Sequence, residues 1–140
     1  MFEKIEIKTG TEIKVVTKPW GSETWLAYGE GMPYCLKIIK LNKGAKTSLQ
    51  YHEKKRETNF VHSGKIRLHY RDGIDGETKT MDLGPMTSIA VAPMNVHRVE
   101  ALEDTVMFEA STNHLDDVIR IQDDYKRPDG YIPSEHGEKK

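Results

Sequence analysis

No part of this chain sustains the apolar spacing of a helix. It is instead a succession of short alternating or β-branched runs, at residues 4–8, 12–17, 23–28, 34–41, 65–71, 78–83, 87–92 and 105–111, punctuated by turn residues. An apolar side chain at every second position makes a strand with one buried face. Many such strands joined by turns form an antiparallel barrel or sandwich. The chain's 140 residues are enough for one such domain around one core. The expected fold is all-β and antiparallel, a single domain.

One stretch carries more than alternation. Residues 44–64, GAKTSLQYHEKKRETNFVHSG, read as G-x5-Q-x-H-x4-E-x6-G. Gln50 and His52 are two apart and project from one face of a strand. Glu57 follows a lysine-rich turn, and a strand returning antiparallel over residues 57–62 would bring its carboxylate back to the same pocket. This is a metal-site spacing with one ligand short. The best candidate for that ligand is His97, which follows the turn Pro93-Met94-Asn95 at the start of a new strand. Two imidazole nitrogens, a carboxylate and an amide oxygen form a borderline-to-hard donor set. One divalent ion is expected there: zinc foremost, with manganese, iron, cobalt or nickel as alternatives.

The arrangement resembles the two-part signature of the cupins, jelly-roll barrels (double-stranded β-helices) whose first motif is G-x5-H-x-H-x3,4-E-x6-G. The second motif adds a histidine after a proline-containing turn. Gln50 replaces the first histidine, and with Ser48-Leu49 before it the chain is similar to the cupin domain of type II phosphomannose isomerases, often fused to mannose-1-phosphate guanylyltransferases. Lys18-Pro19-Trp20-Gly21-Ser22 matches that family's Arg-Pro-Trp-Gly-Ser, His97-Arg98-Val99-Glu100 its His-Arg-x-Glu, and Asp123-Asp124-Tyr125-Lys126-Arg127 its Asp-Asp-Tyr-Gly-Arg. The resemblance covers residues 18–127. It leaves residues 1–17 as an added hairpin or edge strands and residues 128–140 as a polar tail.

The resemblance implies a metal-dependent isomerase interconverting mannose 6-phosphate and fructose 6-phosphate, an enzyme of carbohydrate metabolism. Gln50, His52, Glu57 and His97 would hold the metal. Lys37, Lys55 and Glu109 are candidate catalytic groups, and Arg56 and Arg127 candidate substrate-binding groups, with Arg120 an alternative to Arg127. Lys37 shares strand parity with Ile39 and Leu41 and would point inward. Lys54, Lys55 and Arg56 would cluster at the pocket mouth as a phosphate clamp or a plain charged turn. Thr58-Asn59 stands where the family has His-Trp, Lys54 where it has a histidine, and Lys55 where it has an arginine. These departures favour the alternative, a non-catalytic metal-containing cupin that binds a sugar phosphate or nucleotide sugar.

The remaining features are plainer. Trp20 and Trp25 suit sugar stacking, but read better as hydrophobic anchors of the wall. Asn95 is expected to take a positive φ in the turn before His97, where the family has glycine one position earlier at Met94. Asp72 and Asp75 belong to a glycine-rich hairpin loop, and His62 and His69 are structural or exposed. A formal charge of −1 with 31% charged residues does not make a nucleic-acid surface. Cys35 stands alone and rules out an internal disulfide. No apolar stretch reaches membrane-span length and the start lacks a signal-peptide core, so a soluble cytoplasmic protein is expected. A homodimer paired through edge strands is expected as well, because open sheet edges are best covered.

Overall fold

The computed structural model describes residues 5–122 and the backbone of residues 130–131. The strands are β1 (Lys14–Lys18), β2 (Gly21–Ala27), β3 (Cys35–Leu41), β4 (Leu49–Tyr51), β5 (Glu57–Ser63), β6 (Ile66–Tyr70), β7 (Lys79–Leu83), β8 (Thr87–Val91), β9 (His97–Ala101), β10 (Thr105–Ser111), β11 (Ile119–Gln122) and β12 (Gly130–Tyr131). They form two six-stranded sheets, ordered β1-β2-β3-β10-β5-β8 and β12-β11-β4-β9-β6-β7. Every pairing is antiparallel. One cavity is lined by residues of both sheets, so the sheets face each other across it.

Alternation decides which side chains enter. Along β3 the buried positions are Cys35, Lys37, Ile39 and Leu41, as its parity predicts. Pairing aligns these positions across the sheet into rungs. Val61, Met107, Ile39 and Glu23 make one rung, and Asn59, Glu109, Lys37 and Trp25 the next. The first rung leads into the apolar core of Trp20, Ile39, Leu41, Val61, Ile66, Ala101 and Met107. Burying such side chains contributes about 1.5–3 kcal/mol each for the larger ones. The second rung leads into charge.

Two glycines mark close approaches. Gly64, which closes the metal-site stretch, has φ +93°, and a Cβ there would collide with the Asp104 carbonyl and Thr105. Gly21 would collide with the Lys40 carbonyl. Only glycine meets both the dihedral and the contact at Gly64.

Several expectations are corrected. Residues 5–9 form no strand; a 3-10 turn at Gly10–Glu12 separates them from β1, which pairs instead with β2 across Pro19-Trp20. Glu12 satisfies Thr9 by accepting its backbone N–H at 3.0 Å, so that amide is unavailable for a hairpin. The positive φ before His97 belongs to Met94, at +69°, not to Asn95. The Asn95 side chain is occupied otherwise. Its Oδ1 accepts from the Gly73 amide, and its Nδ2 donates to the Ala92 and Pro93 carbonyls. Within the polar tail, Gly130–Tyr131 pairs with β11. Asp123-Asp124-Tyr125-Lys126-Arg127 lies outside the described residues, and Arg127 with it. Among the described residues no helix is long and apolar enough to cross a membrane.

Candidate metal centre

His52, Glu57 and His97 come from three places in the fold and meet inside it. His52 follows β4, Glu57 opens β5 in the other sheet, and His97 opens β9. All three are buried, and one potential ligand atom from each lies within 4.8 Å of the others. His52 Nε2 is 3.3 Å from Glu57 Oε1, and His97 Nε2 is 3.5 Å from Glu57 Oε2.

The outer ring nitrogens fix the tautomers. His52 Nδ1 lies 2.7 Å from the Asp117 carbonyl, and His97 Nδ1 lies 3.0 Å from the Asn95 carbonyl. A carbonyl only accepts, so each Nδ1 carries the proton. Each Nε2 then presents a lone pair inward, with no hydrogen-bond partner. Two lone pairs facing a carboxylate repel unless a proton or a cation lies among them. A histidine oriented by a carbonyl on its far nitrogen is the usual arrangement of a metal ligand, so the donor set fits a divalent ion.

Glu57 is held from two further sides. Asn59 Nδ2 donates to its Oε2 at 2.9 Å, and Lys55 Nζ lies 3.3 Å from its Oε1. Burial alone would raise the Glu57 carboxyl, but Lys55 and the two imidazoles hold it well below the usual carboxylate range. Burial would lower the His97 imidazole, yet the neighbouring Glu57 carboxylate raises it above the ordinary histidine value. Gln50 also lines the cavity, on β4 directly across from His97, with its Oε1 accepting from the Ser48 hydroxyl.

Two lysine–glutamate pairs stand on the facing sheet. Lys55 Nζ is 2.8 Å from Glu109 Oε2, and Lys37 Nζ is 3.4 Å from Glu23 Oε1 and 4.4 Å from the Trp25 ring. Burial disfavours the Lys55 ammonium, but Glu109 and Glu57 more than offset this and raise its pKa above the lysine norm. Burial would likewise raise the Glu23 carboxyl, while Lys37, Lys18 and the Trp25 N–H, at 2.8 Å, bring it below the ordinary value. Lys18 and Arg120 are buried in the same cavity wall. Trp20 and Trp25 are both buried, Trp20 within the apolar core, as wall anchors should be.

The expected cationic cluster at residues 54–56 does not assemble. Lys55 turns inward, whereas Lys54 and Arg56 are exposed. The inward parity of β5 runs back through its start, so Lys55, Glu57, Asn59 and Val61 share one direction and Arg56 points away. Three contributors escaped the sequence reading: Glu23, Lys18 and Asp117. The first two obey strand alternation and were detectable by parity. Asp117 left no local signal, because its carboxylate accepts the backbone N–H groups of Glu53, Lys54 and Lys55, more than sixty positions away.

No family model and no curated protein matches the sequence. Solved structures do match it. The capsular polysaccharide assembling protein CapF of Staphylococcus aureus is 17% identical with a TM-score of 0.68, over 79% of this chain and 34% of that one. Oxalate decarboxylase of Bacillus subtilis is 17% identical with a TM-score of 0.67, over 79% of this chain and 30% of that one. Oxalate decarboxylase of Lactobacillus farciminis, in a formate complex, is 14% identical with a TM-score of 0.65, over 80% and 34%. The chain thus spans about a third of the length of these structures. At such identities the likeness is one of fold, and these neighbours share the cupin fold. By architecture this chain is a single-domain cupin barrel with a buried His52–Glu57–His97 group able to hold a metal ion.

Proposed function

We propose that the chain is a metal-dependent sugar-phosphate isomerase, similar to mannose-6-phosphate isomerase, interconverting mannose 6-phosphate and fructose 6-phosphate. The observation that carries this reading is the buried histidine–glutamate triad sharing one cavity with Lys37, Lys55 and Glu109. His52, Glu57 and His97 would hold the ion, zinc foremost, with Gln50 completing the set. When bound there, a divalent ion supplies Lewis-acid polarisation to a carbonyl and its neighbouring hydroxyl.

The protein's own groups divide the remaining work. Isomerisation moves a proton between adjacent carbons, which requires a base facing the cavity. Glu57 is committed to the imidazoles. Glu23, its carboxyl depressed, is a weak base. Glu109 is therefore the proton carrier in this reading. Lys55, with its ammonium stabilised by two carboxylates, acts as a fixed cation beside the developing negative charge and not as a base. Lys37 contacts substrate oxygens. Arg120 replaces the exposed Arg56 as the guanidinium for the phosphate.

One observation favours a second reading. With Lys54 and Arg56 outside the cavity, the mouth lacks its expected phosphate clamp, which suits a cupin that binds a sugar phosphate or nucleotide sugar without turning it over. The test is a coupled assay with mannose 6-phosphate on zinc-loaded protein, alongside calorimetric binding of the same compound. Turnover lost in Glu109→Gln with binding retained is the expected result. Binding without turnover moves the assignment to the second reading, and neither binding nor turnover overturns both.

A further inference from the structure

We propose that Lys55 decides which divalent ion the centre takes: its ammonium draws on the one carboxylate among the candidate ligands and so turns the site from manganese toward zinc. The inference rests on the reading of His52, Glu57 and His97 as a metal centre and adds a selectivity residue to it. Lys55 Nζ lies 3.3 Å from Glu57 Oε1, the oxygen that also faces His52 Nε2 at 3.3 Å. Glu57 Oε2 accepts from the Asn59 amide at 2.9 Å and faces His97 Nε2 at 3.5 Å. Each carboxylate oxygen thus has one donor and one imidazole. The two donors differ in charge, because Asn59 is neutral whereas Lys55 is a cation buried beyond the screening of bulk water.

The imidazoles carry no such competitor. Each Nδ1 bonds a backbone carbonyl, and neither Nε2 has a hydrogen-bond partner. Lys55 therefore weakens the oxygen donor and leaves the nitrogen donors at full strength. Gln50 does not make up the difference, since its amide is uncharged and its Oε1 already accepts from the Ser48 hydroxyl. Manganese draws chiefly on carboxylate and carbonyl oxygens, while imidazole suits zinc. A cation that shares the carboxylate thus costs manganese more than zinc. Direct repulsion from the ammonium acts alike on two ions of equal charge and cancels in their comparison. Glu109 keeps Lys55 in place while an ion competes for Glu57, because its Oε2 holds the ammonium from the other side at 2.8 Å.

Competition with a chelating dye, giving zinc and manganese affinities for the metal-free wild type, Lys55→Met/Glu109→Gln and Glu109→Gln, tests the assignment. The paired change removes one positive and one negative group, so the cavity keeps its net charge and no carboxylate is left facing Glu57 without a cation. It should tighten manganese by about 10–100-fold, the range for altering a group that bonds a metal ligand, and zinc by much less. Glu109→Gln alone leaves Lys55 to Glu57 and should shift the zinc-to-manganese ratio the other way; it decides the matter if the paired variant does not fold. A ratio that stays constant across the proteins would overturn the role of Lys55 and leave the metal centre standing. Failure of every protein to bind either ion would overturn both.

Discussion

The two ends of the barrel interior are built by the same three strands and could hardly differ more. Passing from one end to the other, β3 presents Leu41, Ile39 and then Lys37; β5 presents Val61, Asn59 and Glu57; β10 presents Met107 and then Glu109. Backbone pairing is continuous through the change. At the apolar end, burial of Val61, Met107 and Ile66 drives folding. At the polar end, lysines, glutamates and histidines are desolvated, and even well-paired buried charges return little net stability. An arrangement that costs stability at one end of a continuous sheet, with its charges converging on one cavity, marks the site that the other end supports.

The largest expected break is at Lys55, the cation between Glu57 and Glu109. Lys55→Met keeps the volume but leaves two buried carboxylates facing each other, and should destabilise the metal-free protein by about 3–5 kcal/mol in urea unfolding. A neutral result would mean that these charges are solvated and the two ends not so different. Met107→Ala at the apolar end should cost about 2–5 kcal/mol through the cavity it leaves. Its metal affinity, measured by competition with a chelating dye, should stay within a few-fold of wild type. Loss of metal in proportion to stability would merge the two ends into one unit.

Asp117 sharpens the comparison because it serves the polar end from outside. Its carboxyl is lowered although burial opposes this, because three backbone N–H groups bond it, and its own carbonyl orients His52. Asp117→Ala should cost about 1–2 kcal/mol, as the exposed turn regains water. It should weaken metal binding by less than the roughly 10–100-fold of losing an orienting partner outright, because alanine keeps the backbone carbonyl that bonds His52.

The polar end should also govern the pH response of the metal-free protein. Glu57, Glu23 and Asp117 have depressed folded pKa values, so their contribution is complete above the unfolded value near 4 and is lost as pH falls through the folded values. His97 has a raised folded pKa, so its contribution is complete below an unfolded value near 6.5 and is lost as pH rises through the folded one. Thermal melts should therefore peak at about pH 5–6 without metal. Added zinc should abolish the fall on the alkaline side, because the ion then occupies the place of the proton. The smallest effect is at Met94, whose left-handed backbone costs about 1 kcal/mol; Met94→Gly should raise stability by about that amount.

What the sequence disclosed follows the range of each signal. The strands were legible because alternation is local. His52 and Glu57 were legible because their spacing between two glycines is local, although β4 and β5 lie in different sheets and do not pair as expected, and His97 because it follows a proline-containing turn at the start of a strand. Lys37 was legible from parity alone. The lysine turn was misread because Lys54, Lys55 and Arg56 were treated as a patch, when adjacent residues entering a strand diverge to opposite faces. Asp117 was not legible at all, since a carboxylate bonded to a distant turn has no periodicity. Of the hairpin or edge strands expected in residues 1–17, an edge strand is present in β1, while the Thr9–Glu12 cap turns the chain before residues 5–9 can pair with it.

The central claim is that the polar end exists to hold a metal ion. The most direct test is elemental analysis of protein purified without chelator or affinity metal, compared with His52→Ala/His97→Ala. One divalent ion per wild-type chain and none in a folded variant is the predicted result. A wild-type protein without metal that also fails to take up zinc, or a variant that keeps full stoichiometry, would contradict it.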